Sequence, residues 1–356
     1  MNKINFYSGP AALPEAVLQQ ASEGILNFEN QGISIAAISH RSQQFLSILE
    51  EFKHLISSLL KLNDEHEILI LQGGARNHFA QIPMNFLTKE KKAAFVDTGY
   101  WAKKAMEYAS YYGAVEMIAS GNNNAYQCLP LIPIAPQKEY IHITSNNTIY
   151  GTQFHQLPIT ESPLVVDMSS DIFSIQRDFS KIDLAFACAQ KNIGPAGFSV
   201  LIFKKEFLQK ANQQIPPIFN YQNLAAHASN YSTPPVLNIY IALLNLRWLA
   251  SIGGVEKIEK INQHKASLLY NEIDKSALFK NTINAKDRSM MNVCFFGKSP
   301  KIENDFIVFC QKNNLIGIKG HKQAGGLRAS IYNAVTLENV QTLIELIQTF
   351  EKEYSF

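Results

Sequence analysis

Two residues stand out for the chemistry they could do. Asp167 directly follows the apolar run "LVV", and Lys191 stands 24 positions later, just past the run "LAFAC". A carboxylate behind a buried strand needs a partner, because a lone buried charge is costly. A lysine amine is a nucleophile toward carbonyl groups. Each has a plainer reading: Asp167 as the N-cap of a helix over "SSDIFS", Lys191 as a solvated lysine on a turn. Together they form the arrangement a pyridoxal phosphate enzyme needs. The amine forms a Schiff base with the cofactor aldehyde, and the carboxylate keeps the ring nitrogen protonated, so that the ring acts as an electron sink. The small residues of "CAQKNIGPAG" (188–197) would then let the chain pass close to a flat cofactor and leave the amine room to move.

Other strand ends carry residues of the same kind. After "ILIL" comes "GGARNHF" (73–79), which reads either as a simple turn or as a phosphate cradle of backbone N–H groups at a helix N-terminus. After "AAFVD" comes "TGYW", whose Trp101 either packs in the core or stacks on a ring. After "YIHIT" comes "SNNTIYGT", where Thr148 is a turn residue or a ligand contact. Open α/β sheets bind ligands outside the carboxyl ends of their strands. If these strands are neighbours, all five ends meet at one crevice.

The elements that must position them follow from apolar periodicity. Phe45, Leu46, Leu49, Phe52, Ile56, Leu59 and Leu60 recur at helical spacing and predict a helix over 43–60. The short runs at 68–71, 93–97, 140–144, 164–168, 184–188 and 199–203 read as strands. Several are separated by enough chain for a crossover helix, which implies a largely parallel sheet. Beyond about residue 250 the texture changes. Helices over 255–273 and 337–354 flank strands at 291–296 and 327–333, a smaller α+β unit. Gly253 and Gly254 in "ASIGGVEK" mark the hinge.

The bulk composition excludes several classes. With 46% hydrophobic and 17% charged residues and a net charge of +2, the chain reads as globular, with no basic surface for nucleic acid or membrane. Its four cysteines (Cys128, Cys188, Cys294, Cys310) are widely spaced, which argues against a disulfide framework or a zinc site and implies a reducing compartment. No secretory h-region and no membrane-length apolar stretch is visible, so a cytoplasmic location is expected.

The motifs "AISHRS", "GYWAKKA", "NNTIYGTQ", "VVDMSSDI", "AQKNIGPAG", "STPPVLNIY" and "GHKQAGGLRASIYNA" occur in order along the chain. With "NFYSGPAALP" and "RSMMNV" they resemble the phosphoserine aminotransferase family, aspartate-aminotransferase-like enzymes that use pyridoxal 5′-phosphate. The resemblance implies an α/β fold with a large, mostly parallel-sheet cofactor domain (15–252) and a smaller α+β domain (1–14 and 253–356). It makes Lys191 the Schiff-base lysine, whose freed amine moves a proton from the substrate Cα. It makes Asp167 the partner of the pyridine nitrogen and Trp101 the stacking aromatic. Ala75, Arg76, Thr148 and Gln190 match cofactor-holding positions. Ser232 and Thr233 match a pair reaching the phosphate of the partner subunit's cofactor in a homodimer with shared sites.

For substrates, the resemblance places Arg328 on the α-carboxylate and His40 and Arg41 on the distal anion. His321 and Lys322 match a pair contributed by the other subunit. The implied reaction moves an amino group between O-phospho-L-serine and 2-oxoglutarate, giving 3-phosphohydroxypyruvate and glutamate in the other direction. A phosphorylated hydroxythreonine of vitamin B6 synthesis is a second implied substrate. Two positions depart from the family pattern: Ser232 replaces an asparagine of "NTPP", and Lys322 replaces the arginine of "GHR". Lysine keeps the charge but loses the planar fork, so a weaker grip on the phosphosubstrate is expected. A glyoxylate-type aminotransferase or a cysteine-desulfurase-like lyase of the same fold is the rival reading. The lyase requires a catalytic cysteine, for which Cys128 in "YQCLPL" is the one loop candidate.

Overall fold

The computed structural model describes residues 3–133 and 137–354. The chain opens with a two-residue strand, β1 (Ile4–Asn5), and helices α1 (Glu15–Asn27) and α2 (Gln43–Leu60). Helix α2 starts where Ser42 accepts a hydrogen bond from the Phe45 N–H and stops at Lys61, which is left-handed. Seven strands then build one sheet: β2 (His66–Gln72), β3 (Lys92–Asp97), β4 (Ala114–Ser120), β5 (Ile141–Thr144), β6 (Leu164–Asp167), β7 (Leu184–Cys188) and β8 (Phe198–Lys204). Helices α3 (Ala75–Phe86) and α4 (Tyr100–Ala109) follow β2 and β3.

The strand order is β2-β8-β7-β6-β5-β3-β4. Only β8 runs against the others, pairing antiparallel with both β2 and β7. The remaining pairs are parallel. The carboxyl ends of β2, β3, β5, β6 and β7 therefore emerge along one edge, as the sequence implied. The sheet is covered on both faces, which suits strands that are apolar throughout. On one face lie α1, α2 and helix α7 (Val236–Ser251); after two short helices, α5 (Lys205–Leu208) and α6 (Tyr221–Ala226), the other face is filled by α3, α4 and α6.

Past Gly253 (φ +104°) and Gly254 (φ +67°) the chain turns into α8 (Gly254–Lys275), whose axis lies 81° from that of α7. Glycine is needed there because left-handed backbone disfavours a side chain. Helix α8 crosses between two cores. Val255 and Ile258 pack with the large sheet, while Ala266, Leu269 and Ile273 pack with a second sheet of order β12-β10-β9. Its strands are β9 (Phe279–Lys280), β10 (Asn292–Gly297) and β12 (Leu327–Ser330), flanked by α9 (Pro300–Lys312) and α10 (Leu337–Tyr354). Strand β1 pairs in parallel with β11 (Leu315–Ile316), and Phe6 enters this second core. The first residues of the chain are thus built into its last third. Among the described residues no single helix is long and apolar enough to cross a membrane.

Candidate active site

A cavity of about 440 Å³ opens along the carboxyl edge of the large sheet. Each strand end contributes to it: Gly74, Ala75 and Arg76 after β2, Trp101 after β3, Thr144 and Thr148 at β5, Asp167 at β6, and Gln190 and Lys191 after β7. Arg328 of β12 and His321 close it from the other side.

Lys191 sits in a loop held from several directions. Its N–H donates to Ala189 O (2.8 Å), as does that of Gly194 (2.8 Å). Asn245 of α7 donates to the carbonyls of Asn192 and Ile193, both at 2.9 Å. Two glycines of this loop let α7 approach closely: a Cβ on Gly194 would stand 2.7 Å from that of Ala242, and one on Gly197 3.2 Å from Asn238 Nδ2, while Cys188 lines the cavity. Burial pulls the Lys191 ammonium down, but Tyr332, Cys188 and Asp167 outweigh it, against Arg328, and the net shift is upward.

Asp167 is buried, and Oδ1 accepts from the Ser169 N–H at 3.0 Å. No lysine or arginine pairs with it among the described residues. Burial raises its pKa, against the hydrogen bond from Ser169 and the charge of Lys191. Trp101 is at once a packing residue and a cavity-lining one. It packs on Phe79, with ring centroids 6.4 Å apart, and also lines the cavity. The Arg76 guanidinium lies 5.5 Å from the Trp101 ring centroid and donates to Tyr100 Oη at 3.3 Å. Arg328 Nη1 donates to Thr148 O (2.6 Å) and Nη2 to Ser8 Oγ (2.7 Å), while its Nε is buried without a partner. That spare donor leaves a cationic edge able to take a carboxylate.

The whole-chain comparisons bear on what such a site is. The model of the family described as aminotransferase class-V matches residues 4–343. The chain is 42% identical over 355 residues to the phosphoserine aminotransferase of Flavobacterium johnsoniae, covering 99% of this chain and 100% of that protein. The chain belongs to the class-V aminotransferases. Among solved structures of this family, the phosphoserine aminotransferase from Bacillus circulans subsp. alkalophilus superposes with a TM-score of 0.97 at 36% identity, covering 99% of both chains. A PLP-bound phosphoserine aminotransferase from Trichomonas vaginalis gives 0.93 at 32% identity, covering 98% of this chain and 100% of that one.

Class-V aminotransferases use pyridoxal 5′-phosphate, and the residues present fit it. Asp167 is a buried carboxylate on the cavity wall in need of a cationic partner, which a protonated ring nitrogen supplies. Thr144 Oγ1 is buried without a partner on the same wall. At the start of α3, a Cβ on Gly74 would meet nothing within 4 Å, so open space faces the free N–H groups of a helix terminus, a place for phosphate.

Five residues of this aminotransferase singled out from the sequence lie outside the cavity in the single chain: His40, Arg41, Ser232, Thr233 and Lys322. Ser232 lines an adjoining crevice with Gly73 and Asn77, and Thr233 O accepts from Gln72 Nε2. The His40 carbonyl accepts from Asn230 Nδ2 at 3.1 Å, so the two pairs share one surface. His321, which the resemblance assigns to the partner's site, stands in the wall of its own chain's cavity, its ring 6.0 Å from that of Tyr100. Burial, then Arg328 and Lys322, lower its pKa.

Sequence reasoning missed Ser8, Gly9, Asn146, Ser169 and Ser170 on the cavity wall. Asn146 donates to Ser170 Oγ and Asn292 Oδ1, both at 2.8 Å, tying β5 and β6 to the second sheet. Ser8 and Gly9 arrive through the β1–β11 pairing, and a two-residue strand has no periodicity to find.

Proposed function

We propose that the protein catalyses amino transfer between O-phospho-L-serine and 2-oxoglutarate, using pyridoxal 5′-phosphate. The observation that carries the reading is the meeting of Lys191, Asp167 and Arg328 in one cavity. The bound cofactor supplies an electron sink for the negative charge left when the substrate Cα loses its proton. Lys191 is its covalent anchor and then the base that carries that proton. Asp167 holds the ring nitrogen protonated, and Trp101 covers the ring face. Ala75 and Arg76 at the start of α3, with Thr148 and Gln190, fix the cofactor's position.

Arg328 takes the α-carboxylate that both substrates carry. The second anion, phosphate or γ-carboxylate, falls to His321 and Lys322 with His40 and Arg41. One cationic cluster serves two substrates because their anions lie at similar reach. Ser232 and Thr233 gain a role when a second copy of the chain brings them to its neighbour's cofactor, and His321 and Lys322 act across the same interface, so the working form is a homodimer. The same chemistry serves serine synthesis and suits 4-phosphohydroxy-L-threonine in vitamin B6 synthesis. The four free cysteines agree with a cytoplasmic enzyme.

The test is Lys191→Ala. The variant should bind cofactor without the visible absorbance of the lysine linkage and should not turn over. Normal transamination would end the assignment. A panel of amino donors separates this reading from a glyoxylate-type aminotransferase, which would prefer alanine or serine to phosphoserine.

A further inference from the structure

One buried cation has no part in the chemistry above. Lys265 of α8 is fully enclosed, and its Nζ donates to the carbonyls of Ile331 (3.2 Å), Tyr332 (2.9 Å) and Val335 (2.8 Å). These belong to the turn that follows β12, the strand carrying Arg328. One helical turn earlier on the same face, Asn262 Nδ2 donates to Asn333 Oδ1 (2.9 Å) and to Ser174 O (3.2 Å). The turn in its own right reaches the lysine loop. The Asn333 N–H donates to Asn192 Oδ1 (3.1 Å), and Asn333 Nδ2 to Phe173 O (2.9 Å). Asn192 is the next residue after Lys191, and its Nδ2 donates to Ile172 O at 3.1 Å.

A lysine and three asparagines, all buried, thus run unbroken from α8 to the reactive loop. Lys265 has no carboxylate partner among the described residues, and burial pulls its ammonium down to about 7. An apolar side chain of the same length would fill the space without that penalty. What the amine adds is three directed bonds converging on one point, which fix the turn in a single place.

We propose that Lys265 and Asn262 clamp the 331–335 turn so that Asn192 holds the Lys191 loop in register with the cofactor, making Lys265 a positioning residue for the transamination. The proposal rests on the reading of Lys191 given above.

The test compares Lys265→Met, Asn192→Ala and the double variant with the unaltered protein, each as cofactor-loaded full chain. Each single change should lower kcat by about tenfold or more while KM for phosphoserine stays within about threefold. Each should move the pH midpoint of the bound cofactor's visible absorbance by about half a unit or more. The double variant should be no worse than the poorer single, because both cut one path. Unchanged kcat and midpoint in Asn192→Ala overturn the clamp, and so do fully additive losses in the double variant. If Lys265→Met does not fold, Asn192→Ala decides alone. A Lys191→Ala variant that still turns over removes the reading of Lys191 itself. An inactive Lys191→Ala beside a normal Asn192→Ala refutes the clamp only.

Discussion

Acid should unfold this protein through two histidines that take no part in its chemistry. His78 of α3 and His142 of β5 are buried, and burial lowers each pKa from 6.5 to about 3, at His142 against the opposing effect of its own backbone. His142 has no hydrogen-bond partner on either ring nitrogen, and His78 has none on Nε2. They lie among Phe79, Phe95 and Phe186, with His142 stacked on Phe95 at 5.2 Å and a void of only about 10 Å³ beside them. A folded pKa below the unfolded one means the unfolded chain binds more protons between pH 3 and 6.5. Stability is therefore full above 6.5 and falls with pH down to about 3. At pH 5 each ring forfeits about 2 kcal/mol, so the two together cost about 4 kcal/mol. Urea unfolding at pH 8 and pH 5, at fixed protein and cofactor concentration, measures the difference. His142→Phe should remove about 2 kcal/mol of that pH dependence. A variant that loses stability with pH as steeply as the parent would refute the reasoning. Because His78 lies on α3, whose first turn is the proposed phosphate site, cofactor release should accompany the loss.

Two further outcomes follow from the site. Lys322→Arg should lower KM for phosphoserine by restoring a planar fork to an exposed position beside His321; steady-state kinetics with an unchanged or raised KM would count against that. Gly99→Ala should weaken cofactor binding and cost about 1–3 kcal/mol of stability. Gly99 has φ +139°, and a Cβ there would stand 2.3 Å from Asn147 Nδ2, which is itself bonded to Thr98 O. A cofactor titration and a melting curve both matching the parent would show that the Trp101 turn tolerates the side chain.

Much of this was legible because single residues announce their surroundings. Lys191 and Asp167 follow apolar runs, and such runs in a parallel sheet end on one edge, so their meeting was implied before any coordinates. The helices over 43–60 and 337–354 have amphipathic stripes and were read to the residue. Strand β4 was not found, since it is an edge strand with no buried residue and a Glu116 in its middle. Ser8, Gly9 and the asparagines at 146, 262 and 333 also escaped, because their roles depend on partners more than 20 positions away. The small residues around Lys191 stand out in the sequence, but the close approach of Gly194 to Ala242 of α7 does not, because sequence shows that space is needed without showing which neighbour needs it.

The hydrogen bond between Ser8 and Arg328 joins positions 320 apart. A chain emerging from the ribosome can form the large sheet while its last third is still being made. It cannot set Arg328, because β12 does not yet exist and β1 has no β11 to pair with. Setting Arg328 therefore waits both on the last third of the chain and on the pairing of Ile4 and Asn5 with β11.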